Sequence, residues 1–235
     1  LFLPICLSFI LAPPCSRDYK KVKLLVLILF GLLLGFATRK LVNWLSINNY
    51  KIHQKNPILE ITNIMGSIWA FHQLQSIEAF IFCMLVALLS GISIVDYNTY
   101  EIPLLFTGFG FLIAASRVVF NFSTLSAAFW GIIVGAILPM AIIGLLWMIT
   151  KRQGMGFGDI HLGLVLGTWL GPMRMAITLF IASSMSLLVW TFVSLFKGFD
   201  KDRALPFGPF LSVGGTGVYV GSFYYPDFFY LLMLQ

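Results

Sequence analysis

Charge is what this sequence has least of. Only 10% of its 235 residues are Asp, Glu, Lys or Arg, against about a quarter in an ordinary globular domain. A chain so poor in charge cannot clothe a water-facing surface. With 59% hydrophobic residues and a mean hydropathy of +0.94, its solvent is the lipid bilayer. The same shortage excludes a disordered chain, a secreted scaffold and a nucleic-acid-binding domain, so no nucleic acid partner is expected. Cysteine is scarce too: Cys6, Cys15 and Cys83 form no Cys-x-x-Cys pair, which argues against a zinc site and against a disulfide framework. His53 and His72 have no Cys or carboxylate at ligand spacing. No metal and no cofactor is implied. The net charge of +6 comes from short Lys/Arg clusters between apolar runs, a pattern that sets membrane topology and touches anionic headgroups.

Apolar runs are what the chain has in quantity. A spanning helix needs about 20 mostly apolar residues, and the pattern predicts an all-α, polytopic membrane protein of about eight transmembrane helices. The expected spans are Val22–Leu45, Ile58–Leu74, Ile77–Val95, Ile102–Phe120, Leu125–Ile149, Gly158–Leu170, Met173–Phe196 and Leu205–Phe223. The second and sixth are short and contain Gly, as incomplete helices packed against protein do. Gly131, Gly135, Gly214, Gly215 and Gly217 suit close helix packing in lipid. Residues 1–23 form an N-terminal segment without an assigned role. Within it Leu1–Ala12, followed by Pro13, Pro14 and Cys15, resembles part of a signal-like segment that lacks the preceding positive region. Residues 24–235 form one membrane-embedded domain.

The Lys/Arg distribution orients these spans with the N-terminus outside. Arg39, Lys40, Lys51, Lys55, Lys151, Arg152, Lys197, Lys201 and Arg203 then fall inside, and Arg117 and Arg174 fall in outside loops. Arg17, Lys20, Lys21 and Lys23 oppose this orientation.

Carboxylates are few enough to consider singly. Asp18, Asp200, Asp202 and Asp227 sit in polar connections, Glu78 begins a span, Glu60 follows Pro57, and Glu101 lies in a polar turn. Asp96, ending the third span, and Asp159, opening the sixth, remain. The topology brings both to the cytoplasmic side. An ionisable residue in an apolar span is costly and invites a functional hypothesis. Asp159 closes Gly154-Met155-Gly156-Phe157-Gly158, whose glycines permit unusual backbone angles and close approach by a peptide. No Lys-Ser or Lys-Thr follows to make this a phosphate loop. Asp96 precedes a polar turn ending at Ile102-Pro103, where proline can open the next helix.

Two carboxylates within a few Å cannot both ionise easily, so such a pair shares a proton. The ionised partner draws a proton from water, and the protonated one donates to the scissile carbonyl oxygen. This is aspartic-protease chemistry, without a metal or a covalent intermediate. Two unrelated helix-end aspartates would satisfy the same pattern.

Several segments, in order, resemble a known family. They are Gly31-Leu32-Leu33-Leu34-Gly35-Phe36 with Asn43, Pro57-Ile58-Leu59-Glu60, Asp96 with Ile102-Pro103, Gly154-Met155-Gly156-Phe157-Gly158-Asp159 with Leu162, and Leu205-Pro206-Phe207-Gly208-Pro209-Phe210. The chain resembles the type IV prepilin peptidases, bacterial Gly-x-Gly-Asp intramembrane aspartyl proteases. The resemblance implies that Asp96 and Asp159 are the catalytic aspartates, and that Gly154, Gly156 and Gly158 shape the second one's loop. It makes Glu60, Pro103, Pro206, Gly208 and Pro209 substrate-adjacent or structural, with a helix break at the two later prolines. It also implies removal of a basic leader from prepilins or pseudopilins, at the cytoplasmic face of the bacterial inner membrane, after a Gly. Where the family usually has Lys, this chain has His161, expected on the polar edge of its helix; where it often has Asp, this chain has Leu104. Many members carry a long zinc-binding Cys-x-x-Cys loop after the first span and also N-methylate the new pilin terminus. Here Ser46 to Pro57 is short and has no cysteine, which leaves the peptidase as the expected activity.

Two other classes fit less well. A transporter or proton-coupled channel would use Asp96 and Asp159 as a relay, but such proteins usually show paired broken helices in two related halves. A catalytically dead scaffold would not need the two aspartates.

Overall fold

A computed structural model describes residues 17–45, 57–120, 122–150, 156–198 and 205–233. Among them every regular element is a helix: α1 (Arg17–Leu45), α2 (Ile58–Gln73), α3 (Ser76–Thr99), α4 (Leu104–Val119), α5 (Leu125–Ile132), a π-helical turn (Ile133–Ile137), α6 (Leu138–Thr150), α7 (Phe157–Leu170), α8 (Pro172–Lys197), α9 (Gly208–Tyr224) and α10 (Pro226–Met233). The signal-like stretch and the Ser46–Asn56 connection lie outside the described residues.

All eight expected spans coincide with helical segments, and the chain is an all-α, multi-pass membrane protein. Among the described residues, four segments are long and apolar enough to cross a bilayer on their own: Val22–Leu45, Ser76–Thr99, Leu125–Ile149 and Pro172–Lys197. Along α8, Phe180, Leu187, Leu188, Phe192, Leu195 and Phe196 are exposed, a face that only lipid or another apolar partner can cover. α2, α4, α7 and α9 have 16, 16, 14 and 17 residues. At 1.5 Å per residue they reach only about 21–26 Å, short of a hydrocarbon core of about 30 Å. The fourth and eighth are shorter than the apolar runs suggest because prolines delay their starts.

Helix ends follow local chemistry. Pro103 is the cap of α4, just outside it, with φ −65° and ψ 124°, rather than its first helical residue. Thr124 caps α5 by accepting from the Ala127 N–H at 3.2 Å. Gly171, at φ 77°, lies between α7 and α8, and Pro172 opens the latter; the left-handed angle is one glycine adopts without a side-chain penalty.

The chain divides into two compact units at Gly91–Ile92, within α3. In the first, α1 and α2 run antiparallel. A Cβ on Gly31 would lie 2.6 Å from Ile64 Cα, and one on Gly35 would lie 2.8 Å from Glu60 Cα. Small residues four apart thus let the two backbones touch. Ser67 Oγ donates to the Leu27 carbonyl at 3.0 Å. Arg39 and Glu60 form an ion pair, with Nη2 2.6 and 2.7 Å from the two carboxylate oxygens.

The second unit carries the same device in reciprocal form. Gly131 faces Gly167, and Gly135, in the π-helical turn, faces Gly163; a Cβ on any of the four would overlap the opposing carbonyl oxygen. This contact holds α7 by its backbone. At the far end of α7, Trp169 stacks on Tyr219 (4.8 Å, 29°). Arg117 is 5% exposed and donates to the Trp169 carbonyl at 2.6 Å. The sequence pattern placed Arg117 in an outside loop. It lies instead in the last turn of α4, its charge satisfying a carbonyl at the end of another helix.

Candidate active site

Asp96 occupies the last turn of α3. That helix stops three residues later because Tyr100 takes a left-handed φ of 57°, while its N–H still donates to the Asp96 carbonyl at 2.9 Å. Thr99 Oγ1 accepts from the Glu101 N–H at 3.3 Å, and Ile102 and Pro103 lead into α4. Asp159 is the third residue of α7. Its carboxylate accepts from the Gly156 N–H at 3.3 Å, and its own N–H donates back to the Gly156 carbonyl at 3.2 Å. Such reciprocal pairing satisfies otherwise orphaned groups at a helix start. The helix dipole there favours negative charge.

Both carboxylates are buried, Asp96 at 4% and Asp159 at 9% exposure. The second unit brings them into one neighbourhood from segments 63 positions apart: Gly208, against Asp96, and Gly158, next to Asp159, both pack on the side chain of Ile102. The first residue of α9 completes the group: the Gly208 N–H donates to Asp96 Oδ2 at 2.9 Å. A Cβ on Gly208 would lie 2.7 Å from that oxygen, and one on Gly158 would lie 2.8 Å from Ile102 Cβ. Glycine at 158 and 208 therefore lets the Asp-bearing segments close on each other.

The remaining expected site residues separate. Pro206 is buried just before α9, and Pro209 is its second residue. The two prolines thus mark the start of a helix rather than a break in it, because first-turn positions have no intrahelical acceptor for an N–H. His161 is exposed, and its Nδ1 lies 2.8 Å from the Phe157 carbonyl in its own helix, where it must donate. Glu60 belongs to the first unit and is held there by Arg39. Gly154 lies outside the described residues. Among those described, no three His, Cys, Asp or Glu side chains gather to hold a metal ion.

Sequence reasoning did not find the Gly208 N–H as a partner of Asp96, nor Ile102 as a contact of both glycines. A glycine directly before a proline at a helix start was the only available signal. The Arg39–Glu60 pair had no signal, since it joins residues 21 positions apart across a connection.

Residues 80–191, which contain Asp96, Ile102-Pro103 and Gly156–Asp159, match the type IV leader peptidase family. The prepilin leader peptidase/N-methyltransferase of Stutzerimonas stutzeri is 26% identical over 188 residues, covering 74% of this chain and 63% of the relative. The protein of that name from Legionella pneumophila is 29% identical over 170 residues, 68% of this chain and 56% of its own length. The one from Dichelobacter nodosus is 33% identical over 115 residues, 48% and 37% of the two chains. The chain thus spans about six tenths of the first two relatives. No solved structure matches it. That run of similarity crosses both buried aspartates, and the chain is similar to the type IV leader peptidases across it.

Proposed function

We propose that this chain is a membrane-embedded aspartic endopeptidase that removes the basic leader from type IV prepilins or pseudopilins. Asp96 and Asp159 share one proton. The ionised carboxylate draws a proton from water as it attacks the scissile carbonyl, and the protonated one donates to the carbonyl oxygen. The observation that carries this reading is the pair itself: two buried carboxylates on separate helices, one held by Gly208 and the other next to Gly158, with both glycines packed on Ile102, in a chain otherwise poor in charge. Burying two acids in an apolar bundle is expensive, and cleavage chemistry gives that expense a use. The proposed orientation puts the pair at the cytoplasmic face of the bacterial inner membrane. There an anionic leaflet attracts the leader's basic residues and the acidic site receives them.

The reading extends to the peptidase step. The curated relatives are also named N-methyltransferases, while the cysteine-free Ser46–Pro57 connection offers no thiolate ligands for a zinc-stapled subdomain. The test is cleavage of a prepilin with a Gly-Phe junction by membranes containing the full chain. Asp96→Asn and Asp159→Asn should each abolish cleavage while the protein remains inserted. Undiminished cleavage by either variant would refute the dyad.

A further inference from the structure

The side chain of Ile102 touches both of the glycines that bring the aspartates together. Its Cβ, Cγ1 and Cδ1 lie 2.8, 3.3 and 3.5 Å from where a Cβ on Gly158 would sit, one residue before Asp159. Its Cδ1 lies 3.3 Å from the equivalent point on Gly208, whose N–H holds Asp96. One aliphatic side chain therefore stands between the start of α7 and the start of α9.

The way Ile102 is presented is unusually stiff. Six residues earlier in the chain is Asp96. The intervening link contains the left-handed Tyr100 and the Thr99–Glu101 hydrogen bond. Pro103 follows directly, and a residue before proline is confined to extended backbone. Isoleucine is branched at Cβ, which restricts its first side-chain torsion. A flexible packing residue would need none of this.

We infer that Ile102 is a positioning residue: a rigid spacer whose Cβ and Cγ1 make the closest contacts with Gly158 and whose Cδ1 tip lies between Gly158 and Gly208, setting the separation of the Asp96 and Asp159 carboxyls. The inference rests on the aspartyl reading above and adds a determinant of its geometry. Removing the tip leaves Gly158 its two closest contacts, with Cβ and Cγ1, and takes from Gly208 its contact with Ile102. Moving the branch from Cβ to Cγ keeps the volume but spoils the shape that spans the two glycines. Catalysis is sensitive to such displacements because proton sharing and water attack need both carboxyls at the right distance.

Two variants of the full chain in membranes test this, with kcat and KM for prepilin cleavage normalised to inserted protein. Ile102→Val removes only Cδ1, and Ile102→Leu keeps the atom count. Each should lower kcat about 5- to 30-fold, on the scale of a sub-ångström misplacement, with KM changed by less than about twofold. A residue acting only as core filler would accept Leu, since volume-conserving swaps are well tolerated, and would lower the amount of protein rather than its turnover. Wild-type kcat in Ile102→Leu, or a deficit in both variants accounted for by less inserted protein, would overturn the spacer role. Asp96→Asn and Asp159→Asn are assayed alongside. If they are inactive while both Ile102 variants are normal, only the spacer fails; if they cleave normally, the dyad fails and takes the spacer with it.

Discussion

Gly208→Ala probes the hydrogen bond that holds Asp96. The added methyl would stand 2.7 Å from Asp96 Oδ2, 3.2 Å from its Cγ and 3.3 Å from Ile102 Cδ1. Carbon and oxygen meet at about 3.3 Å, so about 0.6 Å must be found. Pro209 stiffens the backbone on the following side, and the carboxyl is the freer partner. Moving it gives up the Gly208 N–H bond, 2.9 Å long. A hydrogen bond to a charged group contributes about 1.5–3 kcal/mol. At about 1.4 kcal/mol per factor of ten, prepilin cleavage should slow about 10- to 100-fold. The assay is initial rate of leader removal in membranes, normalised to inserted protein by immunoblot. Gly217→Ala is the matched control, because no heavy atom lies within 4 Å of its added methyl; it should stay within about twofold of wild type, as substitutions without a contact do. A wild-type rate in Gly208→Ala, or equal slowing in both variants, would refute the reasoning.

Gly167→Ala should destabilise the second unit by about 1–3 kcal/mol, the usual cost of overpacking, because its methyl would overlap the Gly131 carbonyl oxygen. Thermal unfolding in detergent should show a lowered midpoint, with Gly144→Ala, which meets nothing within 4 Å, unchanged. For the Arg39–Glu60 pair, whose side chains are 11% and 17% exposed, Arg39→Met or Glu60→Gln alone should cost about 1–3 kcal/mol. The double variant should cost less than the sum, because breaking one side strands the other; strictly additive midpoints in a denaturation cycle would count against the pair. His161→Lys should retain cleavage, since the ring is exposed and bonded to its own helix. Loss of all activity with normal insertion would place His161 in the machinery.

The membrane character of the chain and its eight apolar segments were legible in composition and run length, because a bilayer imposes its thickness on every helix that enters it. The aspartates were legible for a related reason: in so apolar a chain a carboxylate at a helix end stands out. The π-helical turn was not. Ile133–Ile137 belongs to an uninterrupted apolar run, and the added residue per turn carries no compositional mark. Burial of Arg117 was also hidden, since a cation near the end of a span suits a loop, and only the Trp169 carbonyl gives it a reason to turn inward. Glycine showed the same split. Spacing alone suggested close packing at Gly131 and Gly135, but the opposing backbone had to be seen to pair them with Gly167 and Gly163. The sequence by itself determined which residues are chemically equipped, because side-chain type and hydropathy are properties of the chain in one dimension. Which N–H holds Asp96, and which side chain stands between Gly158 and Gly208, was decided by contacts 112 and 56 positions apart. Only tertiary packing brings such distant positions within a few ångströms.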